Sequence, residues 1–290
     1  MKKHVILLFL TAVQLNALAC EVCGCASMSA TIGYMPSQIR NRIGLNYQLS
    51  RYQSNHPGTT DYFSDRFASY SLSGRMRIAR RIFVSGNLPF VRNQQGETQK
   101  SGIGDFQFML HQLTVDQRDS NGLGWLWMNG LGVKTPTGHY KSEVTSVLPA
   151  NLFPGTGSWD GLAHSALSFR SKFWVGFTEL SYRYTTSNPL GYQSGNQFIT
   201  TVQIFRVQQF SMSSVLFGLG ERSSYVQVDR TNEVANMYSG GSIHALTGSV
   251  QFYATKWALR ASYEKPFQHR FSKGYVTPLD QLTFNITYLI

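Results

Sequence analysis

Apolar and polar residues alternate along most of this chain. The end shows it most plainly: Leu282, Phe284, Ile286, Tyr288 and Ile290 share one face of an extended segment, and Gln281, Thr283, Asn285 and Thr287 share the other. Period-two alternation in β-branched and aromatic residues predicts a strand. A tilted strand crosses a membrane in about 9–11 residues, and the stretch Asp280–Ile290 is long enough. The same pattern predicts strands at Gln38–Arg51, Phe67–Ala79, Ile82–Arg92, Asp105–Asp116, Gly124–Lys134, Asp160–Arg170, Lys172–Thr185, Gln197–Val207, Ser211–Ser223, Ser242–Ala254 and Trp257–Lys265. With the last strand these make twelve. Pro89 stands inside the third, where a proline removes a ladder bond and predicts a bulge or a strand end.

The connections have an asymmetry. Those after the even strands are short, as at Arg80-Arg81 and Thr255-Lys256, and those after the odd strands are mostly longer, as at 139–154 and Val226–Ser239. Outer-membrane barrels combine short turns on one side with longer loops on the other. The predicted class is therefore an all-β antiparallel transmembrane barrel over residues 38–290, which closes by pairing the last strand with the first. The alternative is a secreted β-sandwich with an apolar core.

Composition supports the barrel. Charged residues are only 14% and aromatics 13% of the 290 residues, against roughly 25% charged in soluble domains. After residue 19 no apolar run approaches the ~18 residues of a membrane helix. Trp125 and Trp127 suit an aromatic girdle at a membrane surface. The formal net charge is +11, but the basic residues are scattered through strands, which speaks for a charged lumen or rim and not for nucleic acid. On the predicted registers Arg40, Arg42, Arg75, Arg77 and Arg260 face inward together with Glu179 and Glu264, and these are the candidate pore-lining residues. Rings of arginine favour anionic solutes, while inward glutamates would pair with them and narrow the passage.

The start of the chain is different. Lys2-Lys3, an apolar stretch from Val5 to Val13 and Ala17-Leu18-Ala19 predict a secretory signal peptide over 1–19. A short periplasmic segment at 20–37 then carries the three cysteines Cys20, Cys23 and Cys25. They are candidate soft ligands for copper or zinc. A disulfide with one thiol left over, or a lipidated Cys20, are the rival readings.

No catalytic or nucleotide-binding signature occurs, so no enzyme is expected. A membrane hydrolase would need a pairing such as Ser165 or Ser242 with His164 or His244. Among the ordered punctuating motifs are Asn87-Leu88-Pro89-Phe90, Gly102-Ile103-Gly104-Asp105, Gly132 to Gly138, Gly155 to Asp160 and Gly191 to Asn196. In this order the chain resembles an outer-membrane family named for the meta-pathway of phenol degradation. The Cys-rich start looks like that of Bacteroidetes-type relatives. The resemblance implies an outer-membrane channel or transporter, with lipid and a small-molecule solute as partners; the apolar last strand is similar to the signal that outer-membrane assembly machinery reads, and both termini are expected in the periplasm. The second reading is a barrel-anchored metal-handling protein that works through Cys20, Cys23 and Cys25. Structural roles are expected for the motifs: Gly102 and Gly104 for unusual backbone angles, Asp105 and Asp160 as loop caps or part of a pore mouth.

Overall fold

The computed structural model describes residues 40–55, 62–119, 123–140 and 150–290. Twelve long strands form the wall: β1 Arg42–Asn55, β2 Tyr62–Ala79, β3 Ile82–Gln95, β4 Gln107–Arg118, β5 Gly124–Lys134, β6 Asp160–Arg170, β7 Trp174–Tyr184, β8 Gln197–Gln209, β9 Ser213–Val226, β10 Gly241–Ala254, β11 Trp257–Phe271 and β12 Val276–Leu289. Each pairs antiparallel with the next, and β12 returns to β1, from Arg42 opposite Leu289 to Ser54 opposite Val276. Closure leaves no free edge, so the backbone groups of the wall find partners without water, as a lipid-embedded sheet requires. The signal peptide and the three cysteines lie outside the described residues.

The alternation predicted from sequence is the alternation of the wall. Ile43, Leu45, Tyr70, Leu72, Leu131, Val202, Ile204, Leu219, Phe284 and Ile286 are exposed on the outside, Leu131 to 71% and Leu219 to 65%. Asn46, Gln48, Ser69, Ser71, Gln203, Gln251, Thr283 and Asn285 face inward and are buried. Three tryptophans, Trp125, Trp174 and Trp257, stand at the short-turn end where their strands begin, and Arg206 lies over the Phe173 and Trp174 rings at 4.9 and 5.1 Å. The other end carries Tyr62, Tyr182, Tyr184 and Phe198 on its outer face. Aromatic girdles bounding an apolar outer surface are what a bilayer with two interfaces selects.

Several boundaries differ from expectation, nearly all at the long-loop end. β1 continues to Asn55, β2 begins at Tyr62, β9 reaches Val226, and β11 and β12 extend until only residues 272–275 separate them. The connection expected between Lys265 and Asp280 is thus a tight turn, with Ser272 and Lys273 at positive φ. Beyond the membrane both faces of a strand meet water, so alternation stops while pairing goes on. For the same reason the polar stretch expected as loop after β3 contains a further short strand, Thr98–Ile103, paired with Phe90–Gln95.

Pro89 does not end β3. The strand pairs with β4 up to Asn87 and with the short strand from Phe90 onward. The Pro89 carbonyl accepts a bond from the Gly104 N–H at 2.8 Å on that same side. The missing proline N–H therefore falls in the gap where the partner changes, where it costs no ladder bond.

The inner face is not uniformly polar. Near the short-turn end it carries Val175, Phe177, Phe205, Val207, Leu216 and Tyr253 as one apolar cluster, and Phe83, Leu113 and Met128 as another. Near the loop end Phe67 and Phe271 pack with Tyr52, Ile243 and Val276. Polar residues fill the inner wall between these layers.

Candidate functional site

The inner polar layer is the candidate site. Arg42 lies opposite Arg75, and Arg75 opposite Ser85, on three successive strands. Arg42 and Arg75 are both buried, as are Glu179 and Glu264. Arg77 faces inward at the foot of β2, with its guanidinium 5.3 Å from the centre of the Phe83 ring. Arg260 faces inward between Asn285 and Gln251. Glu264 is 3.5 Å from Arg222, an inward residue that sequence reading did not single out. Arg40 precedes β1 and is exposed.

Glu179 has a closer partner than any arginine named so far. Its Oε1 lies 2.7 Å from His164 Nε2, and both side chains are buried. The His164 ring meets His111 edge-on, with centroids 5.9 Å apart, and His111 Nε2 is 2.7 Å from Ser85 Oγ. Gly130 makes room for this chain of contacts, because a Cβ there would sit 2.6 Å from His111 Nδ1. Sequence reading missed His111 and Ser85. Neither lies in a motif, and what joins them is pairing between β3 and β4.

At the loop end the family-like motifs converge on one cation. Lys134 Nζ lies 2.6 Å from Asp105 Oδ2 and 3.1 Å from Asp160 Oδ2, and it donates to Thr156 Oγ1. Asp105 also accepts from the N–H groups of Gly138 and Thr156, both at 3.0 Å, and Ser158 Oγ donates to Asp160 at 2.9 Å. Lys134 is 1% exposed, Asp105 5% and Asp160 2%. A buried charge survives only when paired and hydrogen-bonded, and here each has several partners.

The glycines explain the close approach. A Cβ on Gly138 would lie 2.7 Å from the Gly104 carbonyl carbon, and one on Gly155 would lie 2.6 Å from that of Gly138. Gly102 and Gly104 do not have the unusual backbone angles expected of them, since neither has positive φ. Gly104 is needed because three backbones pack against one another. The cage holds segment 150–159 over the barrel mouth, and Asn93 of β3 donates from inside to the Asn151 and Leu152 carbonyls at 3.1 and 3.3 Å.

A second clamp joins the two neighbouring loops. Asp229 accepts from Gly195 N–H and from Tyr192 OH, each at 3.0 Å. Burial raises its carboxyl to about 6, against the opposing pull of these two donors and of Arg183.

The serine–histidine pairs of a hydrolase do not form as expected. Ser165 faces outward and accepts from Trp127 Nε1 at 3.0 Å, while His164 faces inward. His244 meets Ser223 rather than Ser242: its Nδ1 is 2.9 Å from Ser223 Oγ and 3.4 Å from Glu221 Oε1. A catalytic histidine uses one ring nitrogen for the nucleophile and the other for the acid, and here both meet the same nitrogen.

Among the described residues no group of three His, Cys, Asp or Glu side chains could hold a metal ion. The three cysteines fall outside those residues.

Comparison with known proteins agrees with the geometry. The family model described as "Putative MetA-pathway of phenol degradation" matches residues 31–271. The chain belongs to that family. Its fold is similar to that of an outer membrane channel from Pseudomonas putida F1, at 14% identity and a TM-score of 0.65, covering 89% of this chain and 97% of that one. The NanC porin is more distant, at 12% identity and a TM-score of 0.45, over 85% of this chain and 99% of that one. The search of curated proteins gave no match. The closed wall, its apolar outer band and this fold place the family member in an outer membrane.

Proposed function

We propose that the protein is an outer-membrane channel for passive passage of small solutes, with a narrow lumen that weakly favours anions. The observation that carries this reading is the inner wall. A closed barrel that only anchored something would gain by filling itself with apolar side chains. Support comes from the charged side chains of the inner parity, Arg42, Arg75, Arg260, Glu179 and Glu264, with Arg77 exposed at the short-turn end. The inward cations outnumber the inward anions in this set, and their field favours negative solutes. The similarity in fold to a bacterial outer membrane channel supports the same reading. Passage needs no cofactor and no catalysis, and the split between Ser165 and His164 across the wall speaks against hydrolysis.

Both described ends of the chain meet at the short-turn end, where Ile290 N–H donates to the Asn41 carbonyl at 2.9 Å. We assign that end to the periplasm, because outer-membrane barrels keep their short turns there. The apolar C-terminal strand is the segment that assembly machinery would read, and deleting Tyr288–Ile290 is expected to block insertion. Single-channel recording in a KCl gradient tests the main reading. Conductance with a reversal potential on the chloride side is expected, and cation preference or no conductance would overturn it.

A further inference from the structure

Buried polar atoms without a protein bond occur at several points of the inner wall, Ser69, Ser71 and Gln203 among them, and in one row they stand side by side. Asn46 of β1 is paired with Asn285 of β12, Asn285 with Arg260 of β11, and Arg260 with Gln251 of β10. Four adjacent strands thus bring four inward side chains into one line, about 14 Å long at the usual strand spacing. Two of the four amides are oriented by the wall itself. Tyr253 OH donates to Gln251 Oε1 at 2.8 Å, and Thr287 Oγ1 donates to Asn285 Oδ1 at 2.7 Å. With those acceptors occupied, the amide nitrogens are what remains to offer.

Those nitrogens have no protein partner. Asn46 Nδ2, Asn285 Nδ2, Gln251 Nε2 and Arg260 Nε are all buried and unbonded, and Asn46 also leaves its Oδ1 open. Asn46 is 3% exposed, Gln251 1% and Asn285 8%. An unmet buried donor is costly, and four in a single row indicate a partner from outside the chain. Its chemistry follows from the row. The offered groups are almost all donors, with a guanidinium among them. The nearest inward carboxylate along β11, Glu264, lies four residues beyond Arg260 and faces Arg222. Guanidinium and amide N–H groups together match the two oxygens of a carboxylate. The same row runs on from Gln251 to Leu216 and then to Val207, both in the apolar inner cluster that holds Phe205 and Tyr253.

We propose that Asn46, Asn285, Arg260 and Gln251 form a binding subsite for the carboxylate of a small amphipathic organic acid, whose apolar body lies along Leu216 and Tyr253. This rests on the channel reading and names the solute class for it. The subsite holds the head group weakly while the apolar cluster shields the body, so binding is favourable enough for entry and not too strong for release.

Hexanoate, acetate and hexan-1-ol are the probes, added to full-length protein in planar bilayers under KCl. Hexanoate should reduce the current at a concentration at least tenfold lower than either acetate or hexan-1-ol. Arg260→Gln should weaken that block at least tenfold and Gln251→Leu about threefold, while Gly248→Ala, on the lipid face, should leave it unchanged. Equal block by hexanoate and hexan-1-ol, or block in Arg260→Gln within twofold of the parent, overturns the subsite and leaves the channel standing. If the parent carries no current, the channel reading fails, and the subsite is then judged by saturation-transfer NMR on the detergent-solubilised barrel. Hexanoate binding lost in Arg260→Gln supports it, and no binding, or equal binding in both proteins, overturns it. Heat-modifiable migration on gels shows that each variant is folded.

Discussion

Lys134 and Arg260 are both cations on the inner wall, and the fold treats them in opposite ways. Lys134 is enclosed by Asp105, Asp160 and Thr156, and its two carboxylates are themselves bonded to backbone and hydroxyl donors. Arg260 stands in a row whose donors are left open. The first arrangement spends its polar groups on each other and fixes a loop across the mouth. The second keeps them available. The difference shows that a polar inner wall has two uses, and that the pairing of each group separates them, not its charge.

The largest expected effect tests the closed side of this contrast. Lys134→Met removes the cation and leaves Asp105 and Asp160 buried without it, which should cost about 3–5 kcal/mol. Urea unfolding of the detergent-solubilised barrel measures the loss, and proteolysis should cut within segment 150–159 first. Stability within 1 kcal/mol of the parent would show that the cage is not the lock described. Arg260→Gln, by contrast, should change stability by less than about 1 kcal/mol in the same assay, because the buried Nε of Arg260 bonds no protein group.

Asp229 lies between the two extremes, being bonded on several sides yet held by neutral donors at short range. Its carboxyl is raised to about 6 from an ordinary 3.8. A raised carboxyl means that the folded loops bind the proton more tightly than the unfolded chain does. The stabilisation is therefore full below about pH 3.8 and is lost as pH rises through 6. The two units correspond to about 3 kcal/mol at most. Proteolytic opening of loop 227–240 should be easier at pH 8 than at pH 5, and Asp229→Asn should flatten that dependence. An unchanged pH profile in the variant would place the titration elsewhere.

Glycine substitutions give a smaller effect. Gly138→Ala forces a methyl group between backbones already in contact and should cost about 1–3 kcal/mol. Gly248→Ala meets nothing within 4 Å and should lie within about 0.5 kcal/mol of the parent. Equal behaviour of the two in urea would remove close packing as the reason for glycine in the cage.

Most of the wall was legible because one face meets lipid. Wherever the outside is bilayer, the side chains must be apolar, and the period-two signal is strong: Gly124–Lys134 and Asp160–Arg170 have the predicted ends. Where strands rise beyond the bilayer that constraint lapses, and β11 runs six residues past its predicted end at Lys265, to Phe271. Parity also placed Asn285 and Arg260 inside. It could not mark them as one row, because register between strands far apart in sequence is fixed only when the barrel closes.

The sequence by itself determined the barrel and its membrane faces, since these follow from local alternation against two solvents, while Arg40, expected inside, precedes β1 and is exposed. Only the tertiary structure decided which polar groups are satisfied. Lys134 finds acids 29 residues before it and 26 after it in the chain, and Asn46 finds Asn285 across the closing seam. Partnership of this kind depends on distances in space that no local pattern encodes.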